Sequence, residues 1–294
     1  MHNYLRSVGF ASVKNRTQLE ELTAKIVSNA GERIFTSLND DEAIGVLSME
    51  VAPGIGVSVC GEMNEDNKFF FDYLFPYARG LSVSSYEDIT VERHIEKESY
   101  SGVCEDPRVG ITLIFYLQNV VPYIRAKNIE ALPIRKTSVT FSALATEGTI
   151  IMPLRKSEAS KKRAAKFNAD RIKLIEEARS GNEKAMEDLT LGDMDIYSSL
   201  YKKLQTKDMN SLVDTFIMPY GVECELYSIM GEIVDFELVT NKFTGEEIYK
   251  LQIEANDIPM LVCINKEDLY GEPEISRRFK GVVWLQGYVN YDAE

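Results

Sequence analysis

The chain has 294 residues, of which 45% are apolar, 27% charged and 10% aromatic. This composition excludes collagen-like, low-complexity and intrinsically disordered chains, and the length predicts about two domains. The net charge of −13 opposes binding to nucleic-acid phosphates or anionic lipid unless a local basic patch overrides it. Neither a membrane-spanning apolar run nor a secretory signal is found, so we expect a cytoplasmic protein without membrane contact.

The cysteine and histidine content argues against a disulfide framework and against a zinc site. The chain has four widely spaced cysteines, no C-x-x-C pair and only two histidines. We therefore predict reduced thiols, no metal and no other cofactor. The cysteines are Cys60, Cys104, Cys224 and Cys263, and the histidines are His2 and His94.

The first predicted element is an amphipathic helix over residues 17–30. Thr17 and Glu20 form a capping box at its start, and Gly31 is placed to cap its end. Seven short apolar or alternating runs follow, with turn signals at 64–67 and 146–148. We expect these runs to form one antiparallel sheet and not β-α-β crossovers. The runs cover residues 44–51, 55–63, 69–75, 89–95, 110–117, 137–145 and 149–154.

Residues 156–217 contain no proline and are rich in Ala, Lys, Glu, Met and Leu, so we expect helices there. Asn182 is placed to cap a short helix that carries Ala185 and Leu189. Two later stripes have helical spacing, which is typical of core packing. They are Met194, Tyr197, Tyr201 and Leu204, and then Met209, Leu212, Val213 and Phe216.

The last part of the chain returns to strand patterns, at about 227–238, 249–255, 260–264 and 282–289. Gly231 lies inside the first of these strands, where a bend would let one strand serve both sides of a small barrel. The loop 241–245 closes the first hairpin. An OB-like closed barrel is the preferred interpretation, and a plain antiparallel meander is the alternative.

Together these elements predict an α+β protein in three parts. The parts are an antiparallel domain with a covering helix over residues 1–155, a helical segment over 156–217, and a small β domain over 218–294.

Most familiar catalytic and cofactor motifs are absent. The run from Gly54 to Gly61 has its third glycine misplaced for a dinucleotide loop and is interpreted as a turn that enters a strand. No P-loop, zinc-protease, hydrolase-elbow or EF-hand pattern occurs.

Titratable residues outside those motifs leave an enzymatic alternative open. His94 alternates with Glu92, Glu96 and Glu98, which is typical of a solvated strand face. The pairs Glu62 with Glu65, and Glu105 with Asp106 beside Cys104, could supply carboxylates for a metal-assisted hydrolase, although surface loops are the simpler interpretation.

Two basic stretches could bind an anion. The first is interpreted mainly as a solvated helix face, then as a partner for the acidic C-terminal part, and last as a site for an external polyanion. It comprises Arg155, Lys156, Lys161, Lys162, Arg163, Lys166, Arg171 and Lys173. The second interleaves basic and aromatic residues as single-strand binding surfaces do, and it supplies the predicted ligand-binding residues, although structural aromatics on an edge strand are the simpler interpretation. They are Arg277, Arg278, Lys280, Trp284 and Tyr288.

Four segments carry a resemblance to a known family. They are residues 1–10 (MHNYLRSVGF), 149–154 (TIIMPL), 218–224 (MPYGVEC) and 227–233 (YSIMGEI). Here the sequence resembles a family of uncharacterised proteins, a domain of unknown function found mainly in low-GC Gram-positive anaerobic bacteria. The resemblance spans nearly the whole chain and implies a bacterial cytoplasm, but it implies no activity.

We therefore expect a non-enzymatic binding or scaffold protein with an unidentified protein or small-molecule partner. A metal-assisted hydrolase and a single-stranded nucleic-acid module are the alternatives, and the −9 net charge of the C-terminal part disfavours nucleic acid.

Overall fold

The fold is taken from a computed structural model, and the description covers seven stretches of the chain. The side chains of residues 158–165, 167 and 168 lie outside it. The described stretches are residues 3–37, 43–63, 68–94, 99–128, 137–154, 158–191 and 213–291.

A four-stranded antiparallel sheet forms within residues 32–78, with its strands in chain order. The strands are β1 (Glu32–Ser37), β2 (Ala43–Ala52), β3 (Ile55–Met63) and β4 (Phe69–Ala78). Helix α1 (Arg16–Asn29) contacts β2 and β3, and helix α2 (Val120–Asn128) contacts β1 and β2. Because helices cover it, the sheet buries β2 and β3 along most of their length.

A second sheet of ten strands contains a closed barrel. Five strands, β8-β12-β11-β10-β14, are joined in a ring because β14 also pairs with β8. Only the β8–β12 contact in this ring is parallel. The ring strands are β8 (Ser138–Ile151), β10 (Leu226–Thr240), β11 (Glu247–Ala255), β12 (Ile258–Asn265) and β14 (Arg278–Asn290).

The remaining strands extend or flank the ring, and β7 pairs with β14 in parallel. They are β5 (Ile89–Arg93), β6 (Tyr100–Cys104), β7 (Leu113–Leu117), β9 (Phe216–Pro219) and β13 (Leu269–Tyr270). The predicted small barrel is thus confirmed, and the meander alternative is wrong because the β8–β14 pairing closes the sheet.

Strand β10 pairs with two neighbours within the ring. Its first half pairs with β14 as far as Glu232, and its second half pairs with β11 from Glu232 onward. Gly231 lies at this crossing, where an added Cβ would come within 2.8 Å of Ile253 Cδ1. One strand thus serves both sides of the barrel, as predicted, and the close approach explains why a glycine is needed at position 231.

The prediction that the N-terminal runs form one sheet is wrong. Strands β2 to β4 belong to the smaller sheet, whereas β5 to β8 belong to the larger one. The runs 137–145 and 149–154 lie largely in the single strand β8, and 146–148 is not a turn. Gly148 sits inside this strand because an added Cβ would collide with the ring of Phe279.

Helix α1 is confirmed, but both predicted caps are wrong. Asn15 caps the helix, and its side chain and that of Gln18 form the capping box, two residues before the Thr17 pair. At the other end Ala30 is the C-cap in an extended conformation, so Gly31 does not form a left-handed cap.

Helix α2 was not predicted. Pro122 lies in the first turn of the helix, where its missing N–H costs nothing because that group has no partner within the helix. Strands β1 and β6 were also not predicted.

The helical middle is confirmed over residues 158–191, whereas the described residues 213–217 are not helical. Helix α3 (Glu158–Arg179) is followed by a short helix over 183–191, which Asn182 caps by accepting from the backbone of Lys184 and Ala185. Phe216 lies instead in β9 because it pairs with β10. No helix in the described stretches has the length and apolarity of a membrane span. Outside the description lie Met194, Tyr197, Tyr201, Leu204, Met209 and Leu212.

The N-terminal 3-10 helix (Asn3–Val8) contacts β3 and β4 on one side and β8 and β12 on the other. Ser7 donates to the carbonyl of Ala145, and Asn241 donates to those of Val8 and Gly9. This segment therefore joins the smaller sheet to the barrel. Strand β8 of the barrel lies before residue 155, within the predicted first domain. The three-part domain division stays a prediction.

Candidate functional site

The five predicted ligand-binding residues lie along β14 and the turn before it, but they do not converge. Arg278 is 3% exposed, and its guanidinium donates to the backbone carbonyls of Met152 and Val213. Burial lowers the pKa of Arg278. Arg277 pairs with Glu274 at 2.6 Å and is bound within its own turn.

The other three residues also have separate surroundings. Trp284 is buried, donates its indole N–H to Glu225 at 2.8 Å and stacks on Tyr4. Lys280 is half-buried opposite Met230. Tyr288 is 41% exposed and is the member of the five that borders a cavity. Ligand binding by the five stays a prediction, and Tyr288 lines the cavity described below.

His94 belongs to a small polar cluster, the Glu225 cluster, made of His94, Ser101, Glu225 and Trp284. Ser101 Oγ lies 2.5 Å from Glu225 Oε1 and 2.7 Å from His94 Nε2. Because the serine donates to the carboxylate, it is not available to donate to the imidazole. His94 is about half exposed, and the cavity described below does not reach it. Glu225 was missed because it is distant from His94 in the sequence, and Ser101 because it lies on the neighbouring strand of the β5–β6 hairpin.

A second cluster, the Asp106 network, surrounds a predicted catalytic carboxylate. Asp106 is 2% exposed, and it accepts hydrogen bonds from Arg108 and Ser85. Burial alone would raise the pKa of Asp106, but the hydrogen bonds from Arg108 and Ser85 outweigh it, so the pKa lies below its ordinary value. Arg108 also donates to the backbone carbonyls of Ser84 and Asp257.

The other predicted carboxylates that the structure describes, Glu62 and Glu105, form no metal site with Asp106. Glu62 is exposed on β3, and Glu105 pairs loosely with Arg179 at 3.8 Å. Burial raises the pKa of Cys104 to about 11, so its thiol stays protonated near neutral pH. Among the described residues no three His, Cys, Asp or Glu side chains cluster as a metal site. The hydrolase hypothesis stays untested.

Several predicted residues lie outside the description. They are His2, Glu65, Glu96, Glu98, Arg155, Lys156, and the side chains of Lys161, Lys162 and Arg163. Of the same basic stretch, Lys166 is exposed and Lys173 approaches Glu177 at 4.0 Å on the same helix. The role of this stretch stays a prediction.

A cavity of about 320 Å³ lies between the four-stranded sheet and the barrel, and we call it the sheet–barrel cleft. Its floor is one face of β1 to β4, its roof is the start of α2, and its far wall comes from β8 and β14. Gln118 and Asn119 fix the roof: Gln118 donates to Ala78 and Gln286 at 2.8 Å, and Asn119 bonds the backbone of Val289.

The strand register explains why the floor of the cleft has both polar and apolar side chains. Glu32, Ser48, Ser58 and Phe75 are direct cross-strand partners, so they form one row from acidic through hydroxyl to aromatic. Ser48 and Ser58 are 8% and 2% exposed, and their hydroxyl oxygens lie 2.8 Å apart. One hydroxyl donates to the other, and the second hydroxyl hydrogen has no acceptor within the described residues.

Two opposite charges also line the cleft. Arg79 Nη2 lies 2.6 Å from Glu32 Oε2, and both side chains are about half exposed. The Arg79 guanidinium lies 5.7 Å from the centre of the Tyr77 ring. Burial raises the pKa of Tyr77 to about 12, so its hydroxyl is protonated near neutral pH and can donate. None of these residues was a sequence candidate, because their chemistry depends on contacts between distant segments.

The fold and the cleft define a mixed α/β protein that is built around a closed five-stranded barrel and has a preformed cavity beside it. The chain belongs to the family described as a domain of unknown function from an E. rectale gene description (DUF3881), whose model matches residues 5–287. The resemblance noted in the sequence is thus confirmed. No curated protein and no solved structure matches the chain.

Proposed function

We propose that this chain is a non-enzymatic binding protein that holds a small molecule in the sheet–barrel cleft. The observation that carries the proposal is the cavity itself, with apolar walls and a few placed polar groups, as in most small-molecule sites. Its volume lies near the lower end of the usual range of about 300 to 1,000 Å³, which favours a ligand of metabolite size.

The hydrogen bonds within the other polar clusters support a binding function over a catalytic one. In the Asp106 network and the Glu225 cluster the carboxylates are held by donors from the chain itself. A group that is bound in this way has little capacity left for a substrate proton. The cleft, in contrast, keeps a hydroxyl hydrogen and two half-exposed charges at its surface.

We further propose that the barrel is OB-like and that the protein works in the bacterial cytoplasm. The three-strand meander β10-β11-β12, closed through β8 and β14 with one parallel contact, supports the first point. All four cysteines are free thiols and three of them are buried, which supports a reducing compartment.

A ligand-observed NMR screen of small fragments tests the binding proposal. Ile34 lines the cleft and Phe35 lies on the opposite face of the same strand, so Ile34→Trp fills the cleft and Phe35→Trp is the matched control. We expect fragments that bind the wild type and the control to lose their signal with the filled variant. Thermal unfolding of both variants verifies that they fold. Fragments that bind all three proteins equally, or an absence of hits, would contradict the proposal.

A further inference from the structure

We propose that the ligand of the sheet–barrel cleft is a zwitterion of amino-acid type, with a carboxylate for Arg79, an ammonium group for Glu32 and an apolar body. This inference rests on the proposed binding function and names the ligand class. The charges, the cross-strand row and the apolar walls of the cleft each fit such a ligand.

The charge arrangement selects against ligands with one charge. Arg79 and Glu32 pair at 2.6 Å, and both line the cleft. A simple anion that binds Arg79 displaces Glu32 and leaves this carboxylate without its partner, and a simple cation does the same to Arg79. A zwitterion replaces both halves of the pair, so no charge loses its counterpart.

The chemistry of each group fits this exchange. The Arg79 guanidinium can donate two parallel hydrogen bonds to a carboxylate, which is the stronger form of this contact. Glu32 accepts from an ammonium group, and Ser48 is its direct neighbour across β1 and β2. The serine pair at Ser48 and Ser58 keeps one hydroxyl hydrogen that a ligand carboxylate can accept.

The rest of the cleft fits an apolar body. Ile34, Val46 and Phe75 provide the floor beside the polar row, and Val121 provides the roof. Val46 and Phe75 are only 8% and 3% exposed, so their positions are fixed by packing before a ligand binds. A branched or aromatic side chain buries its apolar surface there, which favours binding.

Isothermal titration calorimetry with three related probes tests the inference. L-Phenylalanine carries both charges, phenethylamine lacks the carboxylate, and 3-phenylpropanoate lacks the ammonium group. We expect phenylalanine to bind the wild type at least tenfold more tightly than either analogue.

Two variants make this test specific for each charge. Arg79→Met removes the carboxylate partner, so it should weaken phenylalanine at least tenfold and abolish the preference over phenethylamine. Glu32→Gln should likewise abolish the preference over 3-phenylpropanoate. Lys266→Met is the control, because it breaks a similarly exposed ion pair with Glu247 away from the cleft. We expect it to leave all three affinities unchanged.

The outcomes separate this inference from the binding proposal. If either singly charged analogue binds as tightly as phenylalanine and Ile34→Trp blocks it, the cleft is a binding site but the zwitterion inference is wrong. If none of the three probes binds the wild type, the inference is also wrong, and the fragment screen alone decides whether the cleft binds other molecules. Equal losses in Lys266→Met and Arg79→Met would likewise contradict it.

Discussion

The Asp106 network and the sheet–barrel cleft each contain a carboxylate paired with an arginine, but they use the pair differently. Asp106 is 2% exposed, and Arg108 binds it while also donating to two backbone carbonyls. Glu32 and Arg79 are about half exposed, and a cavity lies beside them. Hydrogen-bonding capacity left unused at a cavity, more than the presence of charges, therefore distinguishes a candidate site from a structural network.

The largest effect is expected from Asp106→Ala. The change leaves Arg108 in a mostly buried position without its counter-ion, which typically costs about 3 to 5 kcal/mol of unfolding free energy. Urea unfolding measures the loss. Glu62→Ala, at an exposed carboxylate, should change stability by less than about 0.5 kcal/mol. If the two variants are equally stable, the Asp106 network is not a structural support.

The same network predicts a dependence on acid. Because the folded-state pKa of Asp106 lies below the ordinary value of 3.8, the unfolded chain binds the proton more readily. The contribution to stability is therefore complete above about pH 4 and is lost as the pH falls through the lower folded-state pKa. The wild type should lose more unfolding free energy on acidification than Asp106→Ala. Parallel acid curves for the two proteins would contradict this explanation.

An intermediate effect is expected in the Glu225 cluster. Glu225→Ala removes the acceptor of the buried Trp284 indole and of the Ser101 hydroxyl, which should cost about 1 to 3 kcal/mol. His94→Ala should cost less than about 1 kcal/mol, because the imidazole is about half exposed. Thermal unfolding compares the two. A larger loss for His94→Ala would show that the imidazole holds this cluster together.

The smallest stability effect is expected at the charges of the cleft. Arg79→Met and Glu32→Gln each remove a half-exposed ion pair, which contributes at most about 1 kcal/mol. Their effect should be on ligand affinity instead. Denaturant unfolding without ligand measures the effect on stability. A loss of unfolding free energy as large as that of Asp106→Ala would show that the ion pair of Arg79 and Glu32 is a structural support.

Local patterns in the sequence predicted elements well and contacts between distant elements poorly. The predicted strand at 55–63 matches β3 at both ends, because its apolar residues and the turn at Gly54 are local signals. Strand β8 was divided at Gly148 because the pattern does not show that Phe279, distant in sequence, packs against it. Its place in the barrel follows from pairing with β12 and β14, which no periodicity encodes.

The candidate site shows the same limit. Tyr288 was predicted for its aromatic ring, and it does line the cleft. Glu32 begins β1 and Arg79 directly follows the end of β4, and only the fold places their charged atoms 2.6 Å apart. Arg278 carries a guanidinium, which is a suitable group for binding a phosphate, but this guanidinium is buried and donates to backbone carbonyls instead.

Methyl NMR during a titration with L-phenylalanine reports whether an amino-acid zwitterion binds in the sheet–barrel cleft. The methyl groups of Ile34, Val46, Val120 and Val121 line the cleft, whereas those of Ile253 and Val262 lie in the barrel strands away from it. We predict saturable shifts for the first four signals with one common dissociation constant, and none for the last two. Unchanged cleft signals up to high phenylalanine concentration, or shifts confined to the barrel strands, would contradict binding of the zwitterion in the cleft.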